Sequence, residues 1–406
     1  MKFIFYIITI IISIFIGYEN PELIDKPKKF IKLNTTETKN EKKLEQFNLK
    51  NIEETQETYI ANSFKVKLTK IESFDSLSAG LFLFYDDNKN IDYKIYTQNG
   101  FLIEKNSKKK INLPFTFYKD EEKNGGIKSV FITKGIDFAL ISEKKINCFY
   151  ASIINLKNLN KIIETDCLPD TDNINFAGLG GAYIKKGNNL LISIGTPTHY
   201  SDIINNLSLK DNVFGKILEL DLNKIVNNSF VSNNYQYFST GHRNPQGLTI
   251  DNGKIYSVEH GPQGGDELNE ISKGNNYGWP IVSFGTRYGN GKSYEKSHKN
   301  QKYAEPIFTF LPSIAPSSLN ICPKNLKDYY KGYDCLIGLS LKDMSLIVYL
   351  LYENRLISYE KILINKRLRH FGLEEEKATI FFDEDENFFI TSDNDGVYQI
   401  KFDNFR

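Results

Sequence analysis

"STGHRNPQGLTIDNGKIYSVEHGPQGGDELN", residues 239–269, sets two polar, glycine-punctuated clusters on either side of a short apolar pattern. Within it, Asp251-Asn252-Gly253 separates two runs rich in β-branched residues. Asn and Gly tolerate the positive φ that a two-residue hairpin turn requires, so the chain is predicted to reverse there. Reversal returns Gly247 and Gly261 to the same end of the hairpin. Arg243, Asn244 and Gln246, before the outgoing strand, should therefore meet His260, Gly261 and Pro262, after the returning one, as a polar cluster on one rim.

The same local pattern recurs from residue 62 onward, in "GLFLFYDDNKNIDYKIYTQNG", "NNLLISIG", "SLIVYLLYENRLISYEKILI" and "ATIFFDEDENFFITSDNDGVYQIKF". These read as hairpins in series, and long helical periodicity is scarce. "GAYIKKGNNLLISIG" (Gly181 to Gly195) and "GLTIDNGKIYSVEHG" (Gly247 to Gly261) have equal length and lie 66 residues apart. The turn at Glu386-Asn387 falls 134 residues beyond Gly253, close to twice that step. A period of this size suits four-stranded blades with long loops, which predicts an all-β propeller. A two-sheet sandwich is the alternative and explains the spacing less well.

The remaining features bound the function. A chain of 406 residues with 40% hydrophobic content and a formal charge of +1 can bury a large core and carries no global field for nucleic acid. Its densest basic run, Lys105 to Lys110, lies between apolar stretches and reads as a solvated hairpin turn; no aromatic stacking platform accompanies it. Lys2 precedes an uncharged apolar run from Phe3 to Gly17, the signature of an export signal, with an uncleaved membrane anchor over residues 3–17 as the alternative. Residues 18–58 are polar and weakly periodic and read as a tether, so the globular domain is expected over 59–406 and outside the cytoplasm, periplasmic or extracellular. Cys148, Cys167, Cys322 and Cys335 allow three disulfide pairings, or buried free thiols, and the sequence does not choose. No Cys or His spacing suits structural zinc. "GLGGA" at 178–182 is no dinucleotide loop, because Tyr183 stands at the third glycine position and a strand pattern follows.

Three motifs in register, "GHRNPQGL" (241–248), "EHGPQGGDELN" (259–269) and "GNNYGWP" (274–280), resemble the pyrroloquinoline-quinone-dependent sugar dehydrogenases, the glucose/sorbosone dehydrogenase family, and in particular its aldose dehydrogenase branch. The resemblance can be followed from about Gly125 to the C-terminus. It implies a six-bladed propeller of four-stranded blades, a small sugar as substrate, an external electron acceptor, and pyrroloquinoline quinone and calcium as cofactors. That quinone carries three carboxylates and a dicarbonyl, so its site needs cationic donors and a hard cation with oxygen ligands. By resemblance, the main-chain oxygens of Gly261 and Pro262 face the calcium, and Arg243 and Asn244 hold the quinone with His260 as neighbour. Lys342 in "GLSLKD", Arg367 and Arg369 in "KRLRHF", and Asn124 in "KNGGIKSV" match further cofactor contacts. Arginines two apart on a strand point the same way, so Arg367 and Arg369 are expected to reach one anion. Asp266 and Glu267 read as loop caps or structural-cation ligands, Trp279 as core packing, and Arg287 and Tyr288 as candidates for a sugar pocket.

The chain departs from the family at the catalytic corner. The family's base is a histidine ahead of the strand represented here by "GAYIKKGNNLLISIG", yet the corresponding stretch reads "NINFAGLGGAYI", with Asn175 or Ala177 at that place. Neither accepts a proton near neutral pH, and loss of a positioned base costs about 10²- to 10⁴-fold in rate. His199 in "GTPTHY" is the candidate substitute. Two classes of function follow: a quinoprotein dehydrogenase with a rewritten corner, or a propeller that binds without turnover.

Overall fold

The computed structural model describes residues 56–105, 107–169, 174–197, 202–227 and 235–403. The expected signal or anchor, most of the polar tether and His199 lie outside the described residues. Among the described residues no helix is long and apolar enough to cross a membrane. The first described strand, Gln56–Ile60, spans the expected domain boundary at 59.

The architecture is largely β and propeller-like. Three four-stranded antiparallel sheets follow one another along the chain, running Gly180–Lys186 to Tyr235–Thr240, Pro245–Asp251 to Phe308–Phe310, and Pro316–Ile321 to Arg355–Leu363. A five-stranded sheet, Ile127–Thr133 to Leu168–Pro169, precedes them. A nine-stranded sheet contains both ends of the described chain. In it Lys65–Ser73 pairs antiparallel with Gly396–Asp403, and Leu368–Glu374 pairs in parallel with Ser78–Tyr85.

Burial alternates with the pleat toward the sheet edge, where Gln56–Ile60 reads exposed, intermediate, exposed, intermediate, exposed and its neighbour Lys65–Ser73 opens intermediate, buried, intermediate, buried. Strands nearer the middle of each sheet are buried on both faces, as in Asn189–Ile194 and Asp334–Ser340, which accounts for their unbroken apolar runs. Apolar clusters join consecutive sheets. Phe131 and Phe138 pack with Leu190 and Leu218, Leu191 and Ile217 with Leu248 and Ile255, and Tyr256 and Leu268 with Leu336 and Ile347. The last cluster sets Phe389 and Val397 against Leu81 and Ile95, so the packing returns to the start of the chain. A sandwich has two facing layers and no such return, which removes that alternative.

The predicted 66-residue repeat is structural. In the two hairpins Gly180 pairs with Ile194 and Pro245 with Glu259, and both first strands slip register near their start. The Asp251 turn is a two-residue reversal in which Asp251 pairs with Lys254. Asn252 and Gly253 have φ of 49° and 80°, the conformation their residue types favour. The basic run forms the expected hairpin, with Glu104 opposite Ser107. After "GLGG" comes the strand Gly180–Lys186 and no helix. The four cysteines form disulfides, Cys148–Cys167 and Cys322–Cys335, so the free-thiol alternative falls.

Candidate active site

The Asp251 turn lies at one end of its hairpin and the two polar clusters at the other. His260 N–H donates to the Asn244 carbonyl at 3.0 Å, tying the clusters together through the backbone. Arg243 is fixed at both ends. Its own N–H donates to Glu259 Oε2 at 3.0 Å, and its Nη1 donates to the carbonyls of His260 at 3.0 Å and Gly261 at 2.5 Å. The guanidinium also lies 5.4 Å from the Trp279 ring centroid and 5.8 Å from that of Tyr288, within cation–π range. Trp279 is buried as expected, and in addition it supports the arginine.

Behind Arg243 is a buried polar network. Glu259 Oε1 lies 3.2 Å from His242 Nδ1 and accepts from Asn269 Nδ2 at 2.9 Å, while His242 Nε2 lies 2.8 Å from Ser239 Oγ. Glu267 shares the Asn269 amide; burial, reinforced by the Glu259 charge, pushes its carboxyl up to about 8. Asp266 is a cap, as the sequence suggested. It accepts from Gly261 N at 3.0 Å and Ser313 Oγ at 3.1 Å, and from Ile314 N and Ala315 N at 2.8 and 2.7 Å. One carboxylate thus fixes the Gly261-Pro262 loop against the Ser313–Ala315 loop. Gly261 tolerates no side chain there, since a Cβ would stand 2.1 Å from the Gly265 oxygen.

Arg243, Asn244, His260, Gly261, Pro262 and Lys342 line one cleft of about 610 Å³, within the usual range for small-molecule sites. Glu122, Lys123, Asn175, Gln263, Asp266, Tyr288 and Ser313 add polar groups to its wall, and Ala177 lies beside Asn175. His260 Nε2 lies 2.8 Å from the Pro316 carbonyl, which only accepts, so Nε2 carries the proton; burial pushes the imidazole toward its neutral form. The Asn175 amide makes three hydrogen bonds. Its Oδ1 accepts from Ala177 N at 2.8 Å and Asn124 Nδ2 at 3.0 Å, and its Nδ2 donates to the Glu122 carbonyl at 3.2 Å.

Asn124, Arg367 and Arg369 are not among the walls of this cleft. Asn124 stands one hydrogen bond behind the wall, on Asn175. Arg367 and Arg369 do converge on one anion, and it is the protein's own Asp393. Arg369 grips that carboxylate through Nε and through Nη2 at 2.6 Å, and Arg367 Nε lies 3.5 Å away. Sequence reasoning missed Glu259 and His242. The available signal was Glu259 itself, a carboxylate at the start of "EHGPQGGDELN", and the structure sets it directly across the ladder from Pro245.

A closed, largely β ring with a cationic, carbonyl-lined cleft on one rim is the layout of a ligand-binding propeller. The glucose/sorbosone dehydrogenase family model matches residues 156–391, more than half of the chain, and the chain belongs to that family. The aldose sugar dehydrogenase YliI of Escherichia coli K12 is 31% identical over 137 residues, 33% of this chain and 36% of that protein. Quinoprotein glucose dehydrogenase B of Acinetobacter calcoaceticus is 47% identical over 73 residues, 17% of this chain and 15% of that protein. These alignments thus span well under two thirds of either relative. The crystal structure of the soluble aldose sugar dehydrogenase from Escherichia coli in the apo-form superposes with a TM-score of 0.64 at 19% identity, covering 84% of this chain and all of that one.

Proposed function

We propose that the protein is an exported quinoprotein that oxidises an aldose or related alcohol with pyrroloquinoline quinone and calcium and passes the electrons to an external acceptor. The observation that carries this reading is the convergence of Arg243, Asn244 and Lys342 with the Gly261 and Pro262 backbone around one cleft. The donor set suits both partners: cationic and amide donors for a tricarboxylate, carbonyl oxygens for a hard cation. Among the described residues no cluster of three or more His, Cys, Asp or Glu side chains is arranged for a metal, so in this reading the cation rests on main-chain oxygens. When bound, the quinone would supply a two-electron acceptor and the calcium would polarise its carbonyl. The chain's own residues orient: Arg243 and Lys342 hold negative charge, Asn244 offers its amide, and Asp266 keeps the carbonyl loop in place. Arg367 and Arg369 would reach a carboxylate only by leaving Asp393.

The reading also takes the nine-stranded sheet as two blades joined by the parallel pairing of Leu368–Glu374 with Ser78–Tyr85, giving six in all. Residues 1–17 would direct export or anchor the chain, 18–58 would tether it, and 59–406 would form the catalytic unit.

A second reading, a propeller that binds without turnover, is favoured by Asn175. Its amide oxygen already accepts two hydrogen bonds, and an amide offers no proton acceptor at the base position near neutral pH. One experiment separates the two. The full chain is mixed with calcium and pyrroloquinoline quinone, and the cofactor's absorbance is followed together with dye reduction over a panel of aldoses. A shift with dye reduction supports the enzyme, a shift alone supports the binding module, and no shift removes both.

A further inference from the structure

The first strand of each consecutive hairpin set carries a register slip near its start. The slips fall between Ser78 and Gly80, Ile127 and Ser129, Gly180 and Tyr183, Pro245 and Gly247, Pro316 and Ser318, and Leu368 and Phe371. A bulge leaves residues out of the ladder and re-aims their side chains. Here the displaced residues Ala79, Lys128, Gly181, Gln246 and His370 all line one narrow cavity between the sheets, separate from the cleft. Its volume is about 60 Å³, several times what one water needs.

The wall of this cavity is one-sided in charge. Lys128 and His370 are basic, and no Asp or Glu is among its lining residues. The neighbouring Arg369 is already matched by Asp393, so it does not leave that carboxylate for Lys128. Lys128 Nζ donates to the uncharged carbonyl of Asn124 at 3.1 Å. The following residue, Ser129, also lines the cavity, and its Oγ is buried without a hydrogen-bond partner. A half-buried ammonium whose one nearby carboxylate, Asp393, acts on it only at a distance and already holds Arg369, together with an unsatisfied buried hydroxyl, is costly for a protein to keep. An anion between them satisfies both.

We propose that this axial cavity binds a small monovalent anion, of halide or formate size, through the Lys128 ammonium and the Ser129 hydroxyl. The volume suits such an ion and excludes a tricarboxylate quinone. The proposal does not rest on the quinone reading. Burial, with a smaller contribution from the Arg369 charge, pushes the Lys128 ammonium down to about 7. The other groups facing it do not compete for the anion as pH falls. Burial keeps His370 neutral down to about 4, Tyr183 stays protonated, and Asp393 faces Arg369. Anion binding should therefore strengthen from pH 8.5 to pH 6, as Lys128 becomes charged.

The test uses the ligand-free full chain at constant ionic strength, with bulky isethionate replaced stepwise by chloride, bromide or formate. The unfolding midpoint should rise saturably by about 2 °C at pH 6 and less at pH 8.5. Lys128→Met should lose this response, and Ser129→Ala should keep it with several-fold weaker affinity. Bromide-soaked crystals should show an anomalous peak beside Lys128 in the wild type and none in Lys128→Met. An equal halide response in wild type and Lys128→Met would overturn the proposal. So would a wild type that ignores small anions and responds only to pyrroloquinoline quinone, since the amine would then serve the cleft's ligand.

Discussion

Arg243 makes competing demands on a single carbonyl. Its Nη1 already donates to Gly261 O at 2.5 Å, and a divalent ion on that oxygen would stand beside a guanidinium. Like charges this close oppose one another unless an anion offsets them. Under the proposed function, calcium alone should bind weakly by calorimetry and at least tenfold more tightly with pyrroloquinoline quinone present. Arg243→Ala should shrink that difference while weakening the quinone by roughly 10- to 100-fold, the loss of charge-assisted hydrogen bonds. Equal calcium affinity with and without quinone would count against the arrangement. Asp266 is a second pivot, with four hydrogen bonds from two loops. Asp266→Ala should cost about 3 kcal/mol in urea unfolding, because several buried donors lose their acceptor at once. The residue types of this rim were legible in the sequence, since Asn252-Gly253 dictates a reversal that brings the clusters together. The partner of Arg369 was not, because Asp393 lies 24 residues away and nothing local links the two.

At the scale of elements, hairpins were readable wherever a turn residue requires positive φ, as at Asn252 and Gly253. The pairing of Lys65–Ser73 with Gly396–Asp403 was not readable, since local pattern carries no information about a partner more than 300 residues distant. The register slips were also hidden, because a bulge shifts facing by one residue without changing composition. Cysteine pairing belongs to this scale too. Cys322 and Cys335, 13 residues apart, join a strand end to the next strand's start across a Cα separation of 5.4 Å. Replacing both by Ala should lower stability by about 2–4 kcal/mol, measured by denaturant unfolding with and without reductant. A variant as stable as the wild type would show that the ladder alone holds this corner.

Over the whole molecule, packing closes on itself from Phe389 and Val397 to Leu81 and Ile95, and the basic groups around the axis should shape its acid response. His370 is pushed down to about 4, first by burial and then by the Arg369 charge. Its folded value lies below the unfolded one near 6.5, so its contribution to stability is present above 6.5 and is lost as pH falls through 4. His370→Asn should flatten that part of the decline in unfolding midpoint between pH 6.5 and 4, as read by calorimetry. An unchanged slope would mean that other groups set the acid limb. The central claim is that the two polar clusters of residues 239–269 form one cofactor cradle, and a crystal structure with calcium and pyrroloquinoline quinone tests it most directly. The account predicts quinone oxygens within hydrogen-bond reach of Arg243 and Asn244, with the metal on the Gly261 and Pro262 carbonyls. A quinone bound elsewhere, or a metal held away from those two oxygens, would contradict it.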